Sequence, residues 1–300
     1  MKWSCLHTHT NFCDGKADIE TMCETAYAKG FESIGFSSHA PILKKTGIRT
    51  KSSIKEKRLD EYIDRVLKAR KYWNGKLSVY LGLEVDYVHG LCGPADADIQ
   101  ALPLDYIIGA VHFCSLPKKN EFFSVDESPE NFRLGLEQFD NDGYAFCEAY
   151  YNIYNNMINA GAYDILAHLD LIKKNNDLFR FFTPGDSRYT GLLKKTVNLI
   201  AAARTDAEKN GVSVPVVEVN TGGMNRGYSS EPYPSRDTLK LLAEQNVPLV
   251  LSADAHTPDQ LGKNYEAAMK EMKEAGYTGM AFFAGRREGK AVWQEEALAI

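Results

Sequence analysis

Residues 3–15 read WSCLHTHTNFCDG, a short apolar run that ends in two histidines one residue apart. The apolar residues have the length and character of a buried strand. Successive side chains of a strand point to opposite faces, so His7 and His9 point to the same face where this strand ends. Asp14 follows in the next loop and can reach the same place. The stretch therefore predicts a strand that carries a polar site at its carboxyl end.

Six further apolar runs follow the first, and segments with helical periodicity separate them. The predicted strands lie at residues 2–7, 32–38, 78–87, 105–112, 163–170, 214–220 and 247–254. Most of them are apolar on both faces, as expected of parallel strands that are covered on both sides. Strands that alternate with helices predict an α/β chain with a parallel sheet.

Apolar residues at helical spacing form stripes between the predicted strands. The clearest stripes are Ile19, Met22, Cys23, Ala26 and Tyr27; Tyr62, Ile63, Val66 and Leu67; and Phe146, Tyr150, Ile153 and Met157. Residues 29–30 predict the end of the first helix and residues 52–53 the start of the second. Residues 257–260, TPDQ, combine a cap residue, a proline and a glutamine, which predicts another helix start.

One long stretch, at about residues 115–143, lacks a clear pattern and predicts an elaborated loop that is functional or mobile. Neither a repeat nor a low-complexity linker interrupts the chain. We therefore expect one domain over residues 1–300.

The charge balance, the cysteine spacing and the lengths of the apolar runs exclude several classes of function. The chain has 35 basic and 40 acidic residues, a net charge of −5, and thus lacks the basic excess typical of nucleic-acid binding. Its six cysteines form no C-x-x-C pair, which favours reduced thiols. We find no apolar run of about 20 residues and no signal segment, so we expect a cytoplasmic protein without a membrane partner. Nothing in the sequence indicates an oligomeric state.

Polar residues concentrate at the carboxyl ends of the predicted strands, the face on which βα barrels build their active sites. Six of the seven histidines lie there. The candidate metal ligands are His7, His9, Asp14, His39, Glu84, His112, His168, Asp254 and His256. One such residue alone is more often a hydrogen-bonded structural group. So many imidazoles and carboxylates at one barrel mouth instead indicate two or three metal ions.

Three nearby polar residues have other interpretations. Asp86 and Asp170 follow Glu84 and His168 by two positions, so each could orient a ligand histidine or coordinate a metal directly. We leave both out of the ligand set. The seventh histidine, His89, follows its strand in a glycine-containing loop, and we expect it to lie outside the site.

The order of the motifs resembles that of the polymerase and histidinol phosphatase (PHP) family of metallohydrolases, most of all its histidinol-phosphate phosphatase branch. The motifs are HTHTNFCDG (7–15), GFSSHAP (35–41), GLEVDY (82–87), GAVHF (109–113), DILAHLDLIKK (164–174), EVNTGGMNRG (218–227), EPYPS (231–235) and LSADAH (251–256). The resemblance spans nearly the whole chain and implies a distorted (β/α)7 TIM-like barrel with three divalent metal ions. Zinc, manganese and iron all suit such mixed nitrogen and oxygen ligands.

The resemblance also implies which residues hold each ion. The first ion would take His7, His9, Glu84 and Asp254; the second Glu84, His112 and His168; the third Asp14, His39 and His256. Glu84 would bridge two of the ions. A hydroxide held between them would attack phosphorus in line. Asp254 or His256 would protonate the leaving group, which makes Glu84, Asp254 and His256 the expected catalytic residues.

Phosphate needs cationic partners. Arg226, in a glycine-rich segment after the sixth predicted strand, is the strongest candidate, and Lys173 and Lys174 are weaker ones that could equally lie on the surface. The expected reaction is hydrolysis of L-histidinol phosphate in histidine biosynthesis. Acidic or aromatic residues of the long loop would contact its amine and imidazole: Glu121, Phe122, Phe123 and Asp126.

Three alternatives compete with this reading. The chain could hydrolyse another small phosphate ester, such as a nucleotide or a nucleoside bisphosphate. It could be a barrel of the amidohydrolase type, but those usually use a lysine as the bridging residue, a role that Glu84 takes here. It could also be a metal-binding module without activity, which the complete ligand set argues against.

Overall fold

The computed structural model describes residues 2–42, 46–48, 50–117 and 121–298. Its strands are β1 (Ser4–Cys5), β2 (Ser33–Phe36), β3 (Ser78–Asp86), β4 (Tyr106–Ala110), β5 (Phe113–Ser115), β6 (Phe122–Ser124), β7 (Ile165–Leu166), β8 (Val216–Asn220), β9 (Leu249–Ser252), β10 (Gly279–Arg287) and β11 (Lys290–Ala297). Seven of them form one parallel sheet in the order β1, β2, β3, β4, β7, β8, β9.

The sheet curls into a nearly closed barrel. Thr8 and Ala255 form a parallel bridge just beyond β1 and β9, and the amide of His9 donates to the carbonyl of Ala255 at 2.8 Å. All seven predicted strands contain an observed strand of this barrel. The α/β class and the distorted (β/α)7 TIM-like barrel expected from the sequence are confirmed.

Helices cover the outside of the barrel. They are α1 (Ile19–Ala28), α2 (Leu59–Trp73), α3 (Ala97–Gln100), α4 (Pro129–Glu137), α5 (Gly143–Ala160), α6 (Asn176–Phe179), α7 (Ser187–Asn210), α8 (Gly222–Asn225), α9 (Arg236–Glu244) and α10 (Tyr265–Glu274). Asp18, Asp142 and Asp186 accept hydrogen bonds from backbone amides in the first turns of α1, α5 and α7, which explains where these helices begin. None of the helices among the described residues has both the length and the apolar character of a membrane span.

Two predicted helix starts are wrong in detail. The second helix begins at Leu59, after a 3₁₀ turn at Glu56–Arg58, and not near residues 52–53. Residues 258–260 form only a 3₁₀ turn, in which Thr257 makes no side-chain cap bond. Gln260 instead accepts a hydrogen bond from the amide of His256 at 2.7 Å, so its role is to hold the loop after β9.

The long stretch at residues 115–143 is also more regular than its sequence suggests. It contains the end of β5, then β6 and α4, and β5 pairs with β6 as an antiparallel hairpin; residues 118–120 of the predicted loop lie outside the described part. Phe123 packs against Phe132 of α4 and Phe146 of α5. A Cβ at Gly135 would lie 2.3 Å from the Phe123 ring, so the close packing of the hairpin on α4 requires glycine there.

A C-terminal hairpin, β10–β11, packs against the barrel at the end opposite the polar strand ends. Phe283 of β10 is fully buried and contacts the rings of Tyr80, Tyr106 and Trp293 at centroid distances of 4.8, 5.5 and 5.2 Å. It belongs to a cluster of inward-facing apolar residues from β4, β7, β8 and β9. The hairpin therefore fills this end of the barrel, and polar chemistry is confined to the other end.

Candidate metal centre

The candidate ligands come from the last residues of the barrel strands and from the loops that follow them. His112, His168 and Asp254 each come two residues after their strands, β4, β7 and β9. Glu84 lies inside β3, where it forms a parallel bridge with His39 beyond β2. The parallel arrangement of the strands thus brings together residues that are far apart in the sequence.

Glu84 lies at the centre of this cluster and is almost fully buried. Its Oε2 atom lies 3.2 Å from Nε2 of His7 and 2.9 Å from Nδ1 of His39. Its Oε1 atom lies 3.0 Å from Nε2 of His168 and 3.5 Å from Nε2 of His112. The two carboxylate oxygens therefore face two different groups of imidazoles, as a bridging carboxylate requires.

Asp254 lies beside the same two imidazoles, His7 and His9, that contact Oε2 of Glu84. Its Oδ1 atom is 3.1 Å from Nε2 of His9 and 3.8 Å from Nε2 of His7. Its Oδ2 atom accepts a hydrogen bond from Nη2 of Arg226 at 3.0 Å. Asp254 has a φ of 48°, a left-handed conformation that costs energy for a residue other than glycine and that is typical of functional sites.

A third group surrounds Asp14. The Oδ1 atom of Asp14 is 3.3 Å from Nε2 of His256, 3.7 Å from Nδ1 of His9 and 3.9 Å from Nε2 of His39. Nδ1 of His256 lies 3.0 Å from the carbonyl oxygen of Asp254. Nη1 of Arg226, which can only donate, lies 3.0 Å from the same nitrogen, so Nδ1 can accept from Arg226 while Nε2 faces Asp14.

These groups have the composition and spacing of metal sites. Among the described residues, ligand atoms within 4.8 Å of one another occur in four sets: His9, Asp14, His39 and His256; His7, His9 and Glu84; His39, Asp86 and His112; and Glu84, His112 and His168. Several of the buried atoms make no hydrogen bond: Nε2 of His7, Nε2 of His9, Oδ1 of Asp14 and Oε2 of Glu84. Buried polar atoms are normally paired. Divalent cations would supply the partners that these nitrogen and oxygen atoms lack.

The carboxylates of the cluster are strongly anionic. Burial by itself would raise the pKa of Glu84, but His39, His7 and His112 lower it well below its ordinary value. Burial would likewise raise the pKa of Asp254, but Arg226 and His7 lower it. Both side chains therefore keep a negative charge, which attracts cations.

Several imidazoles of the metal-free chain have a raised pKa. Burial would lower the pKa of His112, but Asp86 and Glu84 raise it to about 9. Burial and His39 would lower the pKa of His9, but contacts with Cys13 and Asp254 raise it, also to about 9. Because a metal binds neutral imidazole, metal ions must displace protons from these residues.

The cluster forms the floor of a pocket of about 570 Å³. Arg226 and Lys174 line this pocket. Nζ of Lys174 lies 3.8 Å from Oδ2 of Asp126, which lines the pocket as well. Lys173 does not line the pocket. Its Nζ atom instead bonds to Oε1 of Glu231 at 2.9 Å and to the carbonyl of Pro232 at 3.0 Å. The structure thus argues against the expected phosphate contact of Lys173.

Of the residues of the long loop that were predicted to contact the substrate, only some line the pocket. Asp126 lines the pocket. Glu121, Phe122 and Phe123 do not, and Phe123 belongs to the apolar packing between the hairpin and α4. Glu127 and Phe113, which the sequence did not single out, line the pocket as well.

The residues with open interpretations are now located. Oδ1 of Asp86 lies 2.7 Å from Nδ1 of His112, a contact that suits the orienting alternative. Asp170 does not contact His168 in this way; its Oδ2 accepts from the amide of Ser235 at 2.8 Å, next to α9. His89 lies away from the cluster, with Nδ1 3.2 Å from the hydroxyl of Tyr87.

Two residues beside the cluster were missed by sequence reasoning. Glu218 in β8 is fully buried, and its Oε1 atom lies 2.6 Å from Nδ1 of His7. The sequence signal was a single acidic residue inside an otherwise apolar strand. Cys13 has its Sγ atom 3.5 Å from Nδ1 of His9. Burial would raise its pKa, but His9 lowers it to about 6; nothing in the sequence distinguished this cysteine from the others.

Comparison with known proteins tests the family resemblance found in the sequence. The profile of the PHP domain matches residues 6–208. The histidinol-phosphatase of Bacillus subtilis is 28% identical over 275 residues, which cover 88% of this chain and 97% of that protein. Two crystal structures share the fold. The hisK protein of Listeria monocytogenes has a TM-score of 0.76 at 22% identity and covers 88% of this chain and 99% of its own. Histidinol phosphate phosphatase of Lactococcus lactis was solved in complex with zinc, L-histidinol and phosphate. It has a TM-score of 0.61 at 17% identity, and the match covers 97% of this chain and 99% of that protein.

Proposed function

The chain belongs to the PHP domain family, and we propose that it is a metal-dependent phosphatase that hydrolyses L-histidinol phosphate to L-histidinol and phosphate. The observation that carries this proposal is the buried cluster of imidazoles and carboxylates around Glu84, at the floor of a pocket. The curated relative that matches nearly the full length has this activity in its name. A hydrolase of phosphoric monoesters is the broader statement that both observations support.

We propose three ion sites within the cluster. His7, His9, Glu84 and Asp254 would hold the first ion; Glu84, His112 and His168 the second; Asp14, His39 and His256 the third. The contacts of both Glu84 oxygens with separate imidazoles support a bridging role. Zinc, manganese and iron suit these ligands. The zinc in the L. lactis structure favours zinc among them.

When bound, the ions would supply a bridging hydroxide near neutral pH and neutralise the phosphoryl oxygens. The chain's own residues would position the substrate. Arg226 lines the pocket above Asp254 and can donate to a phosphoryl oxygen with N–H groups of its guanidinium. Lys174, which lies beside Tyr228 at the wall of the pocket, would add a second positive charge.

The proton for the leaving alkoxide would come from Asp254 or His256; because Asp254 is anionic, it would first have to accept the proton of the attacking nucleophile and then pass it on. Both lie on the pocket wall beside Arg226, and Nδ1 of His256 is 3.0 Å from Nη1 of that arginine. The two roles of Asp254, metal ligand and proton donor, can be distinguished by comparing substrates with different leaving groups. If Asp254 donates the proton, Asp254→Asn slows alkyl phosphates more than aryl phosphates, whose leaving groups need no proton. Equal losses on both would leave Asp254 as a ligand only.

The organic part of the substrate would lie higher in the pocket. Asp126 is the residue of the predicted loop that lines the cavity, and its carboxylate suits the ammonium or imidazolium group of histidinol. Burial would raise the pKa of Asp126, but His112 and Lys174 lower it, so the carboxylate stays charged.

The test is phosphate release by protein loaded separately with Zn²⁺, Mn²⁺ or Fe²⁺. L-histidinol phosphate is compared with sugar phosphates, nucleoside monophosphates and nucleoside bisphosphates, and Glu84→Gln serves as the inactive control. We expect kcat/KM for histidinol phosphate to exceed the others by at least about 100-fold. A higher value for a nucleotide would keep the phosphatase chemistry and replace the substrate. Loss of activity on every ester in metal-loaded protein would contradict the proposal.

A further inference from the structure

Glu218 is a buried acidic residue that lies behind the proposed metal ligands and not among them. It occupies the middle of β8 and has no exposed surface. Its Oε1 atom lies 2.6 Å from Nδ1 of His7. Its Oε2 atom accepts hydrogen bonds from the backbone amide of His168 at 3.1 Å and from Nδ2 of Asn220 at 3.0 Å. All of these contacts are to groups that can donate a hydrogen bond.

We infer that Glu218 is a positioning residue that fixes the tautomer of His7 and ties the loops after β1 and β7 together. Because a carboxylate only accepts hydrogen bonds, His7 must carry its proton on Nδ1 in this contact. Once a metal ion has displaced the proton of Nε2, the lone pair of this nitrogen points towards the ion beside Glu84 and Asp254, whose oxygens lie 3.2 and 3.8 Å from Nε2. This inference rests on the proposed metal centre and deepens it, since it identifies what orients a ligand of the ion.

The second oxygen extends the effect to another ligand. The amide that it accepts belongs to His168, which has a φ of 25°, an uncommon backbone conformation for a residue with a side chain. The hydrogen bond helps to hold this conformation and with it the direction of the imidazole, whose Nε2 atom faces Glu84 at 3.0 Å. One carboxylate thus holds ligands from two of the three proposed ion sites.

A glutamine at this position cannot reproduce the arrangement, although its shape is nearly the same. If the amide nitrogen faces His7, Nδ1 must accept, and the proton moves to Nε2, where it blocks metal binding. If the amide oxygen faces His7, the nitrogen faces two donors, the amide of His168 and Nδ2 of Asn220. The first orientation therefore gives His7 the wrong tautomer for metal binding, and the second leaves the buried amide nitrogen facing donors only.

The experiment compares Glu218→Gln with the wild-type chain and with Asp164→Asn. Asp164 is also a buried carboxylate, but it lies outside the metal cluster, beside Arg286 and Ser213. Zn²⁺ affinity is measured by competition with a chelator, and the tautomer of each histidine is read from long-range ¹H–¹⁵N NMR spectra of histidine-labelled, zinc-loaded protein. We expect Glu218→Gln to weaken zinc binding by about 10- to 100-fold. We also expect one histidine to lose the Nδ1–H signature, whereas Asp164→Asn keeps both properties.

Equal zinc affinity and unchanged tautomers in Glu218→Gln would overturn the inference. If the wild-type chain binds no zinc, the proposed function fails instead, and the two failures are thereby distinguished. If Glu218→Gln does not fold, Glu218→Asp replaces it, since a shorter side chain keeps the charge and withdraws the oxygen from His7. Wild-type zinc affinity in this second variant would equally contradict the inference.

Discussion

Arg226 connects the proposed phosphate site with a proposed metal ligand. Its Nη1 and Nη2 atoms donate to the carbonyl and to Oδ2 of Asp254, each at 3.0 Å. We expect Arg226→Ala to raise KM for phosphate esters by about 10- to 100-fold, because a charged hydrogen bond is lost. We also expect kcat to fall, since Asp254 loses the partner that holds its carboxylate. Steady-state kinetics on the best phosphate ester measure both.

Lys173→Ala is the control for this measurement. It removes a positive charge close in the sequence to Lys174, but the ammonium group bonds to Glu231 and Pro232 and not to the pocket. We expect its KM to equal that of the wild type. An unchanged KM in Arg226→Ala would remove Arg226 from the phosphate site.

The raised pKa values of His9 and His112 predict that metal binding releases protons. Both have a pKa of about 9 in the metal-free chain, so both are protonated at neutral pH and must lose a proton to bind a metal. We expect zinc binding at neutral pH to release about two protons from this pair. Calorimetric titrations in buffers of different ionisation enthalpy count them. Release that does not decline as the pH rises towards 9 would contradict the assignment of these values.

The same two residues contribute to the pH dependence of metal-free stability. A folded pKa above the unfolded value of about 6.5 stabilises the fold fully below that pH. The contribution is lost as the pH rises through about 9. Denaturant unfolding in the presence of a chelator should therefore show a free energy of unfolding that falls over this window, and bound zinc should remove most of the fall.

At the scale of an element, the turn from β8 into α8 depends on Gly222. A Cβ at this position would lie 2.7 Å from Oδ2 of Asp254 and 2.8 Å from Nη2 of Arg226, too close for either atom. We expect Gly222→Ala to displace this ion pair and to lower kcat/KM by at least about tenfold, because displacements of about 1 Å are costly at a reacting centre. Kinetics of the zinc-loaded variant, with its melting temperature, test this.

Gly191→Ala in α7 is the matched control for Gly222→Ala. A Cβ there would meet no atom within 4 Å, and the helix interior favours alanine over glycine. Gly191→Ala should keep full activity and stabilise the fold by about 0.5–1 kcal/mol. Full activity in Gly222→Ala as well would mean that Asp254 and Arg226 need not hold their observed positions.

The C-terminal hairpin is anchored by a buried ion pair. Arg286 of β10 bonds to the Asp164 carboxylate, and its Nε atom donates to the carbonyl of Asp105 at 2.8 Å. The Asp164 side chain is only 3% exposed, so Arg286→Ala leaves an anion buried without its partner. We expect a loss of about 3 kcal/mol in the free energy of unfolding. Arg133→Ala, in the exposed pair with Glu137, should cost less than about 1 kcal/mol; equal losses would contradict the anchoring role.

For the whole molecule, the sequence pattern was sufficient to predict a parallel sheet and the proximity of the candidate ligands, and the family resemblance implied the barrel. Apolar strands alternating with helices favour a parallel sheet, and in such a sheet the strand ends converge whatever the loops do. His7 and His9 could be assigned to one face because side chains alternate along a strand. The metal-ligand roles of these residues stay predictions.

The features that the sequence did not predict depend mainly on the directions in which side chains point in the folded chain. Lys173 and Lys174 lie in a 3₁₀ turn, Leu171–Asn175, where neighbouring side chains point about 120° apart, so one faces the pocket and its neighbour faces Glu231. Glu218 could have faced either the barrel interior or the helices, since its strand is apolar on both sides. The hairpin β10–β11 was missed because its strands alternate weakly and do not pair with the barrel sheet.

The hairpin that fills one end of the barrel also determines how molecules leave. Substrate reaches the cluster through the open mouth, and products must return by the same route. In the proposed function, phosphate would be held deepest, by the ions and Arg226, and we expect it to leave after the alcohol above it. Ordered release of this kind would make phosphate a competitive inhibitor and histidinol a noncompetitive one. Initial-rate inhibition patterns measure this order, and a competitive pattern for histidinol alone would reverse it.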